Sequence, residues 1–346
     1  MVTGAAIAGI AVAHPPATAQ DELWDGFFAQ HYSGVQRALA KRIFANAGIR
    51  RRHAVVNPTV EDVSGWSTGR RMQRYLVEAM PLGKSAVGEA LAAAELPATD
   101  VGLFAVCSCT GYVTPGLDIL LARDLGMAST TQRLNIGHMG CYAALPGLGA
   151  VRDFVVANQR PAVLLCLELT SLHVQPATAD AEQIVAHALF ADAAAAVVVK
   201  PQSSGYEVVE VAAVTDTATA DHMTWDVTDL GFRMGLSPRV PDVLAVHVAG
   251  MVDGLLVRHG LTRSDVGGWA VHPGGPRILD VIAAELDLPV GALDESRSVL
   301  AEHGNCSSPT VLMVLDEIMR RPERPRWTVA LAFGPGLTLY AALLRS

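Results

Sequence analysis

Lysine is almost missing from this chain: Lys41, Lys84 and Lys200 are all there is, so 23 of its 26 cations are arginines. Charge of either sign is scarce, at 17% of residues, and the balance is negative, with 26 cations against 34 anions for a net −8. Such a chain has no general attraction for phosphate backbones or anionic lipid, which argues against nucleic acid and membrane surfaces as partners. Little charge, with 51% hydrophobic residues and a mean hydropathy of +0.31, also excludes disorder as the main theme. Cysteine is sparse and odd in number (Cys107, Cys109, Cys141, Cys166, Cys306), mostly in apolar or small-residue surroundings, which reads as a reducing cytoplasm rather than a disulfide framework. Cys107-Ser-Cys109 is too tight for a zinc pair and no second cysteine or histidine pair completes a tetrahedral set, so no metal is expected. No basic n-region precedes Ala17-Thr18-Ala19, so Val2 to Val12 reads as a buried first strand ending at His14-Pro15-Pro16, not as a secretion signal. No apolar run reads as long enough and free enough of charge to span a bilayer.

At 346 residues the chain has room for about two domains' worth of core. Strands and helices alternate: helices around residues 21–46 and 67–95, a strand Val101 to Cys107, a helix Pro115 to Leu125, a strand Arg133 to Ile136, a helix from Cys141 to about Val156, and strands Ala162 to Leu169 and Ala193 to Val199. The second half repeats the first. Leu103-Phe-Ala-Val-Cys107 parallels Gly268-Trp-Ala-Val-His272, and 34 residues separate Cys107 from Cys141 just as 34 separate His272 from Cys306. Each cysteine is followed by an amphipathic helix, Leu145 to Val156 or Val311 to Arg320, and 25 residues on by an apolar strand holding Cys166 or Leu331. The agreement implies two halves, 1–203 and 204–346, related by a pseudo-twofold axis that brings the junctions at Cys141 and Asn305-Cys306 together.

Three residue types gather at those junctions. Cys141 follows Gly140 and opens a predicted helix, where free N–H groups are expected to lower the thiol pKa below its usual ~8.5; a small buried thiol is the competing reading. His272 ends a buried strand in Val271-His-Pro-Gly-Gly-Pro276, where backbone can approach a ligand closely. Asn305, in Gly304-Asn-Cys-Ser-Ser308, is equally readable as a helix N-cap. Thiol, imidazole and carboxamide together suit acyl transfer to sulfur followed by stabilisation of an enolate or oxyanion by two neutral donors.

His272-Pro-Gly-Gly-Pro276, Gly304-Asn-Cys-Ser-Ser308, Ala332-Phe-Gly-Pro-Gly-Leu-Thr338, Gly140-Cys141, Ala188-Leu-Phe-Ala-Asp192 and Cys109-Thr-Gly-Tyr-Val-Thr-Pro-Gly116 resemble, in this order, the signature segments of type III polyketide synthases, the chalcone-synthase-like enzymes of the thiolase superfamily. The length suits a compact bacterial member. The resemblance implies a five-layer αβαβα thiolase-like α/β fold, a homodimer, and no cofactor, with an acyl-CoA starter and malonyl-CoA as substrates. It implies Cys141 as the acyl-holding nucleophile, with His272 and Asn305 binding the thioester carbonyl and stabilising the enolate formed by decarboxylation of malonyl-CoA. Phe190 matches a gatekeeper phenylalanine, and the second gatekeeper position falls on Met234, a more compliant side chain. His173 and Cys109 stand at cavity positions where plant enzymes carry threonine, and Tyr142 with Leu145-Pro146 replaces a glycine-rich stretch; Thr114, Phe333 and Ser307 complete the expected substrate-binding set. Arg50 and Arg51, in the run Arg50-Arg51-Arg52, are expected on CoA phosphates, a solvated surface run being the ordinary alternative. Two other readings stay open: a single-condensation ketoacyl-acyl carrier protein synthase III, and a catalytically idle partner subunit.

Overall fold

The computed structural model describes residues 4–201 and 204–346, so Val2 of the expected first strand lies outside the described residues. The strands are β1 (Ala5–Ala13), β2 (Ala17–Ala19), β3 (Arg51–His53), β4 (Leu103–Ser108), β5 (Gln132–Gly137), β6 (Ala162–Leu169), β7 (Asp192–Pro201), β8 (Tyr206–Thr215), β9 (Met223–Thr228), β10 (Gly231–Leu236), β11 (Gly268–Val271), β12 (Trp327–Gly334) and β13 (Thr338–Arg345). The helices are α1 (Gln20–Leu23), α2 (Ala29–His31), α3 (Gly34–Ala45), α4 (Thr68–Ala93), α5 (Leu117–Asp124), α6 (Ala144–Asn158), α7 (Ala181–Leu189), α8 (Val240–Val257), α9 (Pro276–Glu285), α10 (Asp294–His303) and α11 (Pro309–Met319).

Nine strands join in the order β11-β12-β13-β8-β1-β7-β6-β4-β5. The sequence repeat is visible in that order. β4 and β6 are parallel, β6, β7 and β1 antiparallel; β11 and β12 are parallel, β12, β13 and β8 antiparallel. The two sets meet at a short antiparallel contact, Ala6 opposite Glu207 and Ile7 opposite Tyr206. Helices α6 and α11, and strands β6 and β12, start at the same 165-residue offset that relates Cys141 to Cys306. The repeat is incomplete: at the spacing where the first half has edge strand β5 the second has α10, and α7 stands between β6 and β7 where only a tight turn joins β12 to β13.

Packing defines the layers. One core cluster holds α6 and α11 together with Leu103, Leu164 and Val197 from one set of strands and Val208, Ala330 and Leu344 from the other, so these two helices lie between two sheet surfaces. The opposite face of the first set packs on α4 and α5 through Ala79, Val87 and Leu121. The opposite face of the second set packs on α8 and α9 through Leu244, Val252 and Leu279. The result is α, β, α, β, α, the five-layer thiolase-like α/β architecture.

Local chemistry explains the elements. β6 reads Ala-Val-Leu-Leu-Cys-Leu-Glu-Leu and is buried throughout, as befits a strand covered on both faces. In α4, Tyr75, Ala79, Gly83, Ala86, Val87, Ala90 and Leu91 recur at helical spacing, and Gly83 lets Leu121, Leu165 and Leu167 approach the helix backbone. The helix expected over 21–46 is interrupted by a π-helical turn at Trp24–Phe28 and by extended backbone at Tyr32 and Ser33. The sequence reading also overlooked α8, which by length and composition alone is long and apolar enough to cross a membrane. Its apolar side, with Leu244, Val248, Val252 and Leu255, is instead committed to the second sheet.

Candidate active site

The two junctions meet. Cys141, His272 and Asn305 all line one cavity of about 420 Å³, together with Phe190, Met234 and Phe333. Cys141 sits in a single 3₁₀ turn, Gly140–Tyr142, ahead of α6. Gly140 has φ +73°, and a Cβ there would lie 2.5 Å from the Pro335 ring, so only glycine lets the turn dock against Gly334-Pro335-Gly336. Burial pushes the Cys141 thiol up to about 12, the Glu168 charge adding to it and a hydrogen bond with Ser307 opposing it. This corrects the expected depression: a three-residue turn offers too weak a field to offset full desolvation.

His272 extends β11 through a backbone hydrogen bond from its N–H to the Leu331 carbonyl (2.8 Å) and meets Phe333 edge-on. The ring is fully buried, and neither nitrogen has a hydrogen-bond partner among the described residues. Burial lowers its pKa to about 3, leaving a neutral imidazole with one donor and one acceptor to offer a bound molecule. Moving the Cys141 proton to His272 leaves the net charge of the site unchanged, so the ions can form as a pair even where burial penalises each alone.

Asn305 is fixed by its backbone, which accepts from Ala191 N–H and donates to the Leu189 carbonyl, both at 2.9 Å. Its Oδ1 accepts from Ser307 N–H at 2.9 Å, so the amide NH₂ is the end left to donate. It therefore braces its own turn rather than capping α11, whose N-cap is Ser308.

Phe190 and Met234 line this cavity and also two smaller spaces of about 60 and 10 Å³, so they stand between the large cavity and the small ones. His173 lines the 60 Å³ space, stacked on Phe232 (4.5 Å). Its Nδ1 accepts from Phe232 N–H (2.9 Å) and its Nε2 donates to the Thr110 carbonyl (2.7 Å), which fixes the tautomer. Cys109 and Ser307 line the smallest space beside Cys141, their side chains 3.9 Å apart. Thr114 is exposed and lines none of these spaces. Arg50 and Arg51 both pair with Glu302 away from the cavity, whereas Arg42 and Arg277 line it. Arg52 is buried, donating to Gln20 and to the carbonyls of His187 and Phe190.

Sequence reasoning missed Glu168, whose carboxylate accepts from the Cys109 and Thr110 N–H groups (3.0 and 3.1 Å), Thr110 Oγ1 (2.7 Å) and Ser308 Oγ (2.8 Å). Burial raises its pKa against those bonds. The available signal was one carboxylate in an otherwise apolar strand. Also missed was Trp225, whose indole N–H donates to the Cys109 carbonyl at 2.7 Å.

Comparison with known proteins agrees with this geometry. The family model of chalcone and stilbene synthases matches twice, its N-terminal domain over residues 3–203 and its C-terminal domain over 210–346. The chain belongs to the chalcone and stilbene synthase family. It is a type III polyketide synthase, a condensing acyltransferase. It is 36% identical over 322 residues to a 1,3,6,8-tetrahydroxynaphthalene synthase of Streptomyces peucetius subsp. caesius, covering 90% of this chain and 85% of that one. It is 30% identical over 333 residues to the alpha-pyrone synthesis polyketide synthase-like Pks18 of Mycobacterium tuberculosis, covering 89% and 82%. The crystal structure of PKS-I from the brown alga Ectocarpus siliculosus superposes with a TM-score of 0.94 at 29% identity, covering 100% of this chain and 99% of that one. These relatives support the polyketide reading over the single-condensation and idle-subunit alternatives.

Proposed function

We propose that this type III polyketide synthase carries the growing acyl chain on Cys141, with His272 and Asn305 as its two donors, and releases a small polyketide such as a pyrone or resorcinol. The observation that carries the proposal is the convergence of thiol, unpartnered imidazole and outward amide on one cavity. In loading, His272 takes the Cys141 proton, sulfur attacks the thioester carbonyl of an acyl-CoA, and the departing CoA thiolate recovers that proton. In extension, malonyl-CoA loses CO₂, and its enolate oxygen receives hydrogen bonds from the His272 N–H and the Asn305 amide. The enolate carbon then attacks the Cys141 thioester, expelling the thiolate and leaving a chain two carbons longer on CoA. No resident cofactor or metal takes part in these steps.

Arg42 and Arg277 are proposed to meet the CoA phosphates, in place of Arg50 and Arg51. His173 and Phe232 fill the 60 Å³ space and Trp225 and Met234 separate it from the small space beside Cys141, which favours short or compact products, with Met234 yielding to bulkier chains. Halves 1–203 and 204–346 are the proposed division of the chain. A homodimer is proposed through β5, an edge strand with Gln132, Arg133, Leu134 and Asn135 exposed, pairing with a second copy across a twofold axis. Five buried free cysteines accord with a proposed cytoplasmic location.

Mass spectrometry of the protein incubated with malonyl-CoA and a panel of aliphatic and aromatic starters tests the reading. The expected result is an acyl adduct on the Cys141 peptide and a CoA-dependent polyketide product; adducts on another cysteine, or no product from any starter, would refute it. Leu134→Lys is expected to split the dimer in sedimentation equilibrium.

A further inference from the structure

Arg52 is the member of the run Arg50-Arg51-Arg52 that turns inward. Side chains alternate along β3, so Arg51 reaches out to Glu302 while Arg52 is 7% exposed, its guanidinium flanked by the Phe28 and Phe44 rings at 6.0 and 5.9 Å. Its hydrogen-bond partners among the described residues are neutral oxygens: Nε donates to Gln20 Oε1, and one terminal nitrogen donates to the carbonyls of His187 and Phe190, each at 2.8 Å. Burial lowers its pKa to about 10, with the Asp192 charge opposing, so it remains a cation at pH 7. These oxygens belong to the end of α7, where the last carbonyls of a helix lack partners within it and carry the negative end of its dipole. All of them are taken here. Arg52 holds those of His187 and Phe190, Gln20 Nε2 donates to that of Ala188 (2.9 Å), and the Asn305 N–H donates to that of Leu189 (2.9 Å).

One occupant of that helix end is therefore the active-site turn itself. Ala191 N–H returns a bond to the Asn305 carbonyl (2.9 Å), so Phe190 and Asn305 form a parallel bridge. The stem of Arg52 closes the other side of the turn: a Cβ at Gly304, whose φ is +75°, would lie 3.0 Å from Arg52 Cγ and 3.1 Å from the Leu189 carbonyl oxygen. We propose that Arg52 is a positioning residue for decarboxylation, holding the end of α7 and the Gly304-Asn305 turn in one register and so fixing the direction of the Asn305 amide. The inference rests on the donor role proposed for Asn305. Cys141 and His272 stand on other elements, the turn before α6 and the end of β11, and no hydrogen bond of Arg52 reaches either. Loss of the guanidinium thus bears on one donor to the enolate rather than on the nucleophile and its proton acceptor. It would leave two carbonyls and Gln20 Oε1 unpaired in a buried site, and the end of α7 must move to satisfy them. Displacement of a reacting group by about 1 Å costs ~10²-fold in rate. Lysine keeps the charge, but a single ammonium does not reproduce the fork that spans Gln20 and both carbonyls.

Arg52→Met keeps a stem against Gly304 and removes the donors. Two steps are measured separately on the full-length enzyme: transfer of a radiolabelled starter from CoA to the protein, and release of labelled CO₂ from malonyl-CoA. Arg52→Met is expected to cut decarboxylation roughly tenfold to hundredfold and loading by less than about threefold, with Arg52→Lys between it and the wild type. A merely structural defect lowers the amount of active enzyme in both assays by the same factor, so the ratio of the two rates is the readout. Equal loss of both steps, or decarboxylation at the wild-type rate, would overturn the proposal. If Arg52→Met does not fold, Arg52→Lys and Gln20→Met, which removes the amide that Nε grips, decide by the same ratio. Asn305→Ala, assayed beside them, separates this inference from the reading beneath it. A decarboxylation defect in Asn305→Ala with none in Arg52→Met removes the positioning role alone, whereas decarboxylation at the wild-type rate in Asn305→Ala removes the donor role and this inference with it.

Discussion

Replacing Gly140 with alanine tests whether the interlock beneath Cys141 positions the nucleophile. Alanine at φ +73° bears the left-handed penalty of about 1–2 kcal/mol. Its Cβ would also lie 2.5 Å from Pro335 Cδ and 2.9 Å from Cγ. Ordinary contact begins near 3.4 Å, so about 0.9 Å must be absorbed by a proline ring that cannot rotate away. Gly140 is bonded directly to Cys141, and the Pro335 loop runs close beside that residue, a Cβ added at Gly334 coming within 3.2 Å of the Cys141 backbone nitrogen. The displacement therefore reaches Cys141. A misplacement near 1 Å costs ~10²-fold in rate, and the strain should remove ~1–3 kcal/mol of stability. Acyl transfer from a radiolabelled starter CoA to the protein, with thermal unfolding in parallel, measures both. Gly250→Ala on the exposed side of α8, where a Cβ meets open space, is the control; it should gain ~0.8 kcal/mol and leave the rate alone. A Gly140→Ala enzyme loading within twofold of wild type and melting at the same temperature would refute the interlock.

Cys141→Ala should abolish loading while the fold persists, whereas Cys306→Ala, in the central core cluster, should retain most activity; acyl-adduct mass spectrometry separates them. Asn305→Ala should cut malonyl-CoA decarboxylation ~10²- to 10³-fold and spare loading, while His272→Gln should slow loading and retain some decarboxylation; equal loss of both steps in both variants would show the assigned roles to be wrong. Arg42→Ala and Arg277→Ala should each raise KM for CoA thioesters about tenfold, ~1.4 kcal/mol, with kcat unchanged, and Arg50→Ala should do neither. Burial holds His173, His187 and His272 at about 3, so below pH 6.5 the unfolded chain binds protons that the folded chain refuses. The histidine contribution to stability is full above pH 6.5 and declines toward pH 3, while Glu168 and Asp192, whose carboxyl pKa values burial raises, act in the opposite direction. A melting temperature no lower at pH 5 than at pH 7.5 would contradict this.

What the sequence made legible was what burial writes as pattern. β6 could be read to the residue because an apolar run covered on both faces has no competing interpretation. The duplicated spacing survived because the strands and central helices of both halves serve the same layers. The β9–β10 hairpin escaped notice, since Met223–Thr228 mixes polar and apolar residues on a half-exposed surface. It nevertheless brings Trp225 opposite Met234 beside Cys141. The thiol's pKa was misread because local sequence reports the helix start but not the depth of burial. Arg42 was passed over for the more conspicuous Arg50 and Arg51, as linear clustering says nothing about which cation faces a cavity.

The placement of α6 and α11 between two sheets bears on how the chain is made. By the time residue 203 leaves the ribosome, the first set of strands can pair, yet the far side of α6 and the inner sheet face still await the second half. A nascent chain at that stage displays the side of α6 that carries Gly149 and Arg152, which packs on Val211 and the Val208 and Val209 carbonyls of β8, alongside the inward apolar residues of β1 and β7, with nothing yet synthesised to cover them. Synthesis at ~5–20 residues per second leaves that surface open for several seconds or more. Two halves alike in pattern are therefore not two independently folding domains: either half expressed alone should aggregate, and recovery in a cell should depend on chaperone capacity during that interval.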